Sequence, residues 1–124
     1  MKISESIAEI LQKNEKVQFA YLFGSYARGD ELEGSDVDIA VYFTLCEFDL
    51  GRRLTLAHTL EKAVSKRIDM VVLNEVKNYD LLKNIIDEGV VIKESKDDSR
   101  VIFELRKYHE ILDYKAFRKS IDAA

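Results

Sequence analysis

Four short runs of β-branched and aromatic residues, parted by glycine turns or by stretches with helical spacing, limit what this chain can fold into more than any other feature. The runs are VQFAYLF (17–23), SDVDIAVYF (35–43), IDMVVL (68–73) and Val90 to Ile92. Each has the length of a strand. Before the first, Ile3, Ile7, Ile10 and Leu11 recur at helical spacing with Lys2, Glu5, Glu9 and Lys13 opposite, which predicts an amphipathic helix over 2–14. Leu50, Leu54, Ala57, Leu60 and Val64 mark one stripe of a helix from about 48 to 66. Residues 78–88 predict a third helix, with Asn78 as its N-cap and Gly89 as its stop. Ser95, Asp97 and Asp98 can cap a last helix, on which Val101, Leu105, Tyr108 and Leu112 recur at three and four residues. The order helix, strand, strand, helix, strand, helix, strand, helix predicts an α+β (α/β sandwich) fold, a mixed four-stranded sheet flanked by helices.

At 124 residues without proline, repeats or a Ser/Gly-rich linker, the chain is expected to form one domain, 1–124, with the charged stretch 113–124 as a partner-binding tail carrying Phe117 and Ile121. Nineteen basic against twenty-three acidic side chains give a net charge of -4, so there is no global basic field and no stable nucleic-acid binding is expected. A single cysteine, Cys46, excludes a disulfide framework or a cysteine-rich zinc site. No apolar run approaches the ~20 residues that cross a bilayer, and the first residues lack a signal-peptide pattern, so a cytoplasmic location is expected.

The chemistry concentrates in Gly24-Ser25-Tyr26-Ala27-Arg28-Gly29-Asp30 and Ser35-Asp36-Val37-Asp38. A turn at a strand's end exposes backbone N–H groups and the Ser25 hydroxyl, and the helical turn after it points its positive end at the same spot, which suits phosphate. On the next strand Asp36 and Asp38 share one face, about 7 Å apart along the backbone. Two carboxylates aimed at one place repel unless a cation sits between them, and magnesium is the hard, oxygen-preferring ion that fits. Asp69 lies in a run expected to be largely buried, where an unpaired acid would cost several kcal/mol. Metal ligation or proton removal would explain its presence. Three acids around bridging magnesium ions can activate an attacking oxygen and neutralise a triphosphate during in-line displacement.

These residues match the G-S, ten residues, D-x-D signature of the DNA polymerase β-like nucleotidyltransferases. The chain more narrowly resembles the minimal nucleotidyltransferase antitoxins of HEPN-type toxin–antitoxin pairs, including the arginine and glycine that follow the turn. The resemblance extends to the Asp69 strand and the C-terminal RVIFELRKYHEILDYKAF segment. It implies that Gly24 and Ser25 hold nucleotide phosphates, with Arg28 a further candidate, and that Asp36, Asp38 and Asp69 are the catalytic and magnesium-binding acids. Asp69 matches the acid that assists deprotonation of the incoming hydroxyl. It further implies ATP as substrate, two magnesium ions, transfer of AMP to a tyrosine of a cognate HEPN RNase toxin, and that toxin as partner. Self-association stays open.

Competing readings stand beside these. Asp36 and Asp38 taken alone read equally well as a solvated strand face, and Arg28 is expected first to pair with Asp30 or an acid of the 31–33 loop. His58 and His109 read as solvated or structural, Cys46 as a packing residue, and Arg52, Arg53, Lys62, Lys66 and Arg67 as a solvated face. Tyr108, Tyr114 and Phe117 suit either a core or an interface. At the level of function the alternatives are a non-catalytic module that occludes a toxin, and a small-molecule nucleotidyltransferase of the aminoglycoside-modifying type.

Overall fold

A computed structural model describes residues 2–44 and 49–123. Its elements run α1 (Ile3–Gln12), β1 (Val17–Phe23), α2 (Ser25–Arg28), β2 (Val37–Phe43), α3 (Leu50–Val64), β3 (Ile68–Val72), α4 (Tyr79–Glu88), β4 (Val90–Lys93) and α5 (Ser99–Ala123). The strands form one mixed sheet in the order β3-β2-β1-β4. β1 is antiparallel to both β2 and β4, and β2 runs parallel to β3. This is the predicted four-stranded arrangement, and α2 is the helical turn expected after the Gly24-Ser25 turn. Cys46 and the predicted helix start at 48 lie outside the described residues.

Alternation along each strand divides the core into two layers. On one face Val37, Ile39, Val41 and Phe43 of β2 pack with Ile7 and Leu11 of α1 and with Leu56 and Leu60 of α3. On the other, Phe19, Tyr21 and Phe23 of β1 pack with Leu82 and Ile85 of α4 and with Phe103 and Ile111 of α5. Val17 and Phe19 have the same parity yet belong to opposite layers. The shift of register between them is the cause, because an extra residue in β1 turns the strand over.

Two predicted helix faces are corrected. α3 buries Leu56 and Leu60, with Ala57 and Val64 beside them, while Leu50 and Leu54 stay exposed. The row that can meet both α1 and the sheet is the one built on Leu56, and Leu54 lies on nearly the opposite side. On α5 the predicted stripe Val101, Leu105 and Leu112 is exposed, and Phe103 and Ile111 are buried instead. Phe103 fits against the stacked pair Phe19 and Tyr42, 5.4 Å from each ring, and this aromatic contact sets the rotation of the helix. The predicted tail at 113–124 continues α5 as helix through Ala123. Asp97 holds its start by accepting from the Ser99 N–H at 2.9 Å.

β3 is a free edge of the sheet and therefore open to unwanted pairing. The parallel register turns the backbone groups of Ile68, Met70 and Val72 away from β2. α3 and the following turn occupy several of them: Glu61 accepts from the Ile68 N–H at 3.2 Å, Arg53 donates to the Met70 carbonyl at 3.2 Å, and the Glu75 N–H donates to the Val72 carbonyl at 3.2 Å.

Candidate active site

The two halves of the sequence signature meet because β1 and β2 are antiparallel neighbours. Phe23, the last residue of β1, is the register partner of Asp38, so Gly24 lies against the Asp38 side chain. A β-carbon on Gly24 would fall 2.1 Å from Asp38 Oδ2, and the residue holds a φ of +73°. Both conditions demand glycine. The chain then folds into the single turn of α2. The Ala27 and Arg28 N–H groups return to the Gly24 carbonyl at 3.1 Å, and Gly29, at φ +81°, ends the turn through its N–H to the Ser25 carbonyl. Ser25 opens this turn at the site, and helical geometry leaves the first N–H groups without an intrahelical acceptor.

The acids gather on the same end of the sheet. Asp36 stands just before β2 and is exposed, while Asp38 inside the strand is half-buried. The parallel pairing places Asp69 of β3 directly beside Asp38, and the two carboxyl groups are in hydrogen-bonding contact. Burial pushes Asp38 above the usual carboxylate range, and the charges of Asp69 and then Asp36 push it the same way. The Arg28 guanidinium opposes them. The expected burial of Asp69 is wrong: the side chain is exposed. Its strand is the sheet edge, where Met70 and Val72 are buried and Ile68 and Val71 are half-covered, while water reaches the Asp69 position.

Arg28 pairs with Asp30 at 3.1 Å, as the pairing alternative anticipated, and also approaches Glu88 of α4 at 4.0 Å. Glu88 is the site neighbour that sequence reading missed. Its contact comes from the far end of a distant helix, and no spacing signals it. His58 and His109 are exposed. A groove of about 510 Å³ begins at Asp69 and follows β3, lined further by Arg53, Glu75 and Lys77. A hollow of about 380 Å³ at the opposite end of the sheet, where Lys93 donates to the Asn14 carbonyl at 2.8 Å, contains none of the three acids.

Among the described residues no three acid, histidine or cysteine side chains are grouped so that they could hold a metal ion between them. The donor set still fits magnesium. Asp38 and Asp69 stand side by side, and Asp36 is near enough for its charge to act on Asp38, which burial first and then these charges raise; this ion takes one or two protein carboxylates and completes its shell with water and substrate phosphates. No helix among the described residues is long and apolar enough to cross a membrane.

A mixed four-stranded sheet with helices on both faces, a glycine-serine turn after its first strand and a pair of alternate aspartates on the next, is the architecture of the nucleotidyltransferases. Residues 5–98 match the family Polymerase beta, Nucleotidyltransferase, and the chain belongs to it. It is 31% identical over 96 residues to the protein adenylyltransferase MntA of Shewanella oneidensis, covering 77% of this chain and 68% of that one. A chain from a toxin–antitoxin crystal structure with AMP-PNP superposes with a TM-score of 0.79 at 26% identity, covering 99% of this chain and 97% of its own. Another similar structure holds a tri-AMPylated Shewanella oneidensis HEPN toxin in complex with an MNT antitoxin; there the TM-score is 0.72 at 25% identity, with 98% of this chain and 94% of the other covered.

Proposed function

We propose that this chain is the catalytic member of a two-protein pair: a cytoplasmic, magnesium-dependent protein adenylyltransferase that moves AMP from ATP to a tyrosine hydroxyl of a cognate HEPN-type toxin and acts as its antitoxin. The observation that carries this reading is the meeting of Gly24, Asp38 and Asp69 at one sheet end, in a chain similar to MntA and to antitoxins solved with their toxins. Residues 1–124 then act as one minimal domain, whose last helical turns, 113–124, serve the partner.

In this scheme the backbone N–H groups and hydroxyl of the Gly24-Ser25 turn hold the triphosphate. Arg28, already shared between Asp30 and Glu88, lies close enough to Asp38 to favour its charged form and adds positive potential on the phosphate side. Asp36, Asp38 and Asp69 would hold magnesium, which when bound neutralises charge on the phosphates and lowers the pKa of a coordinated oxygen. Asp69, exposed at the mouth of the β3 groove, takes the proton from the acceptor hydroxyl. The acceptor oxygen bonds to the α-phosphorus, the bond from that phosphorus to the β-bridging oxygen breaks, and pyrophosphate leaves with its electron pair.

The test is incubation of this chain with labelled ATP, magnesium and a cognate HEPN-type toxin. Asp36→Asn should lower transfer by at least about 10²-fold and keep the wild-type circular dichroism spectrum, since Asp36 is exposed and outside the core. Robust labelling by this variant would sink the mechanism. A stable complex with no label at all would favour neutralisation by occlusion.

A further inference from the structure

α5 is apolar on two sides, and the sheet uses only one. Phe103 and Ile111 are buried against the sheet and α4. Around the helix from them, Val101, Ile102, Leu105 and Leu112 face water, with Leu105 61% and Leu112 58% exposed. A helix with two apolar sides is expected only where both are covered. Five residues past Leu112, Phe117 is 62% exposed.

The occupant follows from three observations. The family match ends at residue 98 and α5 begins at Ser99, so the helix stands outside the shared catalytic region. The chain similar to this one in a toxin–antitoxin structure nevertheless extends over 99% of it, α5 included. Although the whole protein is acidic, the exposed charges over residues 105–119 are Arg106, Lys115, Arg118 and Lys119 against Asp113 alone. A partner matching this surface carries an apolar patch rimmed by carboxylates.

α5 is also fixed relative to the acids. Tyr21 of β1 donates to Glu104 at 2.7 Å, Arg100 bonds Glu104, and Arg100 Nε reaches both Glu94 carboxylate oxygens at 2.8 and 2.9 Å. Further along, Tyr108 bonds Asp87 of α4 and Tyr114 packs against Tyr79 at 5.0 Å. We propose that the outward stripe Val101, Ile102, Leu105 and Leu112 of α5 is the docking surface for the acceptor protein, gripping an apolar, acid-rimmed face of it and holding it in fixed relation to Asp36, Asp38 and Asp69. This rests on the adenylyltransferase reading.

The experiment uses the full chain with a cognate HEPN-type toxin as probe. Leu105→Glu/Leu112→Glu should weaken complex formation in calorimetry at least about 30-fold and raise KM for the acceptor similarly, while kcat at saturating acceptor and the affinity for ATP with magnesium stay within about threefold. Leu105→Gln/Leu112→Gln gives an uncharged check should the first variant misfold. Unchanged affinity in either folded variant overturns the proposal. So does a homodimer of the wild-type chain in light scattering that either variant dissolves, because the stripe would then belong to a second copy. Asp36→Asn should bind the partner as wild type does without labelling it. If it labels fully, the catalytic reading fails while the docking measurement stands.

Discussion

Two carboxylate clusters in this molecule are built on opposite terms. Where α5 meets its neighbours, three acids each have a cation or a hydroxyl in contact: Glu94 and Glu104 share Arg100, and Asp87 receives Lys83 and Tyr108. Hydrogen bonds from these partners hold Glu94 and Asp87 below the usual carboxylate range. At the other cluster Asp38 is half-buried and crowded by Asp69 and Asp36, and burial first and these acids next displace its pKa upward. The first arrangement is what a fold selects for itself, since each charge lowers the cost of its neighbour. The second is tolerated where something outside the protein completes it.

The sharpest way to break the second cluster is to fill its cradle. Gly24→Ala places a methyl 2.1 Å from Asp38 Oδ2 and also forces alanine to a φ of +73°. Transfer should fall at least about 10²-fold, because displacing Asp38 by even an ångström misaligns the reacting groups. Gly34→Ala separates the two causes. Gly34 has a φ of +88° with nothing within 4 Å of the added carbon, so this variant takes on the backbone strain without the collision. It should retain most activity and lose about 1 kcal/mol in urea denaturation. Equal activity losses in the two variants would show that strain, not the cradle, governs the site.

The acid cluster was more legible in the sequence than the paired one, for a physical reason. A glycine-serine turn after an apolar run and two aspartates at alternate positions are local patterns, and strand alternation alone puts Asp36 and Asp38 on one face. The neighbouring of β2 and β3, which brings Asp69 in, follows from a short crossover helix. What stayed hidden depends on choices between near-equal faces. α5 offers two apolar stripes, and only the stacked Phe19 and Tyr42 rings decide that Phe103, not Val101 or Leu105, turns inward. The extra residue in β1 that turns Phe19 toward α5 leaves no mark on composition. Asp69 misled through its apolar neighbours, which announce burial for the strand but not for the exposed position at an edge. Pairings such as Tyr21 with Glu104 span 83 positions, and no spacing rule reaches that far.

A smaller effect tests the paired cluster. Tyr21 is 1% exposed, and its hydroxyl ties β1 to α5. Tyr21→Phe keeps the ring in the core and removes only this bond, leaving Glu104 with Arg100. The expected loss is about 1–2 kcal/mol, read as a lower urea midpoint with an unchanged slope. KM for the partner should rise by less than about threefold, since Phe103 and Arg100 still hold the helix. A stability loss near zero would mean that Glu104 is satisfied by Arg100 alone.

The smallest effects are the most discriminating, because the two clusters must respond to pH with opposite signs. Asp87 has a folded pKa below its unfolded one, so its contribution is present above the unfolded carboxylate pKa and is lost as pH falls through the folded value. Asp38 has a folded pKa above its unfolded one. The folded state then binds the extra proton, and stability is lost as pH rises from the unfolded value through the folded one. Asp87→Asn should therefore lower Tm at pH 7, with an effect that shrinks as pH falls below the ordinary carboxylate value and through the folded one. In a chelator-containing buffer, Asp38→Asn should raise Tm at pH 7 and converge with wild type near pH 3. Solvent screening keeps both shifts to about 1–3 °C. Magnesium should reverse the second comparison, raising the wild-type Tm more than that of Asp38→Asn, because the cation supplies the missing partner that the substitution makes unnecessary. A drop in Tm for both variants at pH 7 in chelator would mean that Asp38 is held as a structural acid like Asp87, and the contrast between the clusters would collapse.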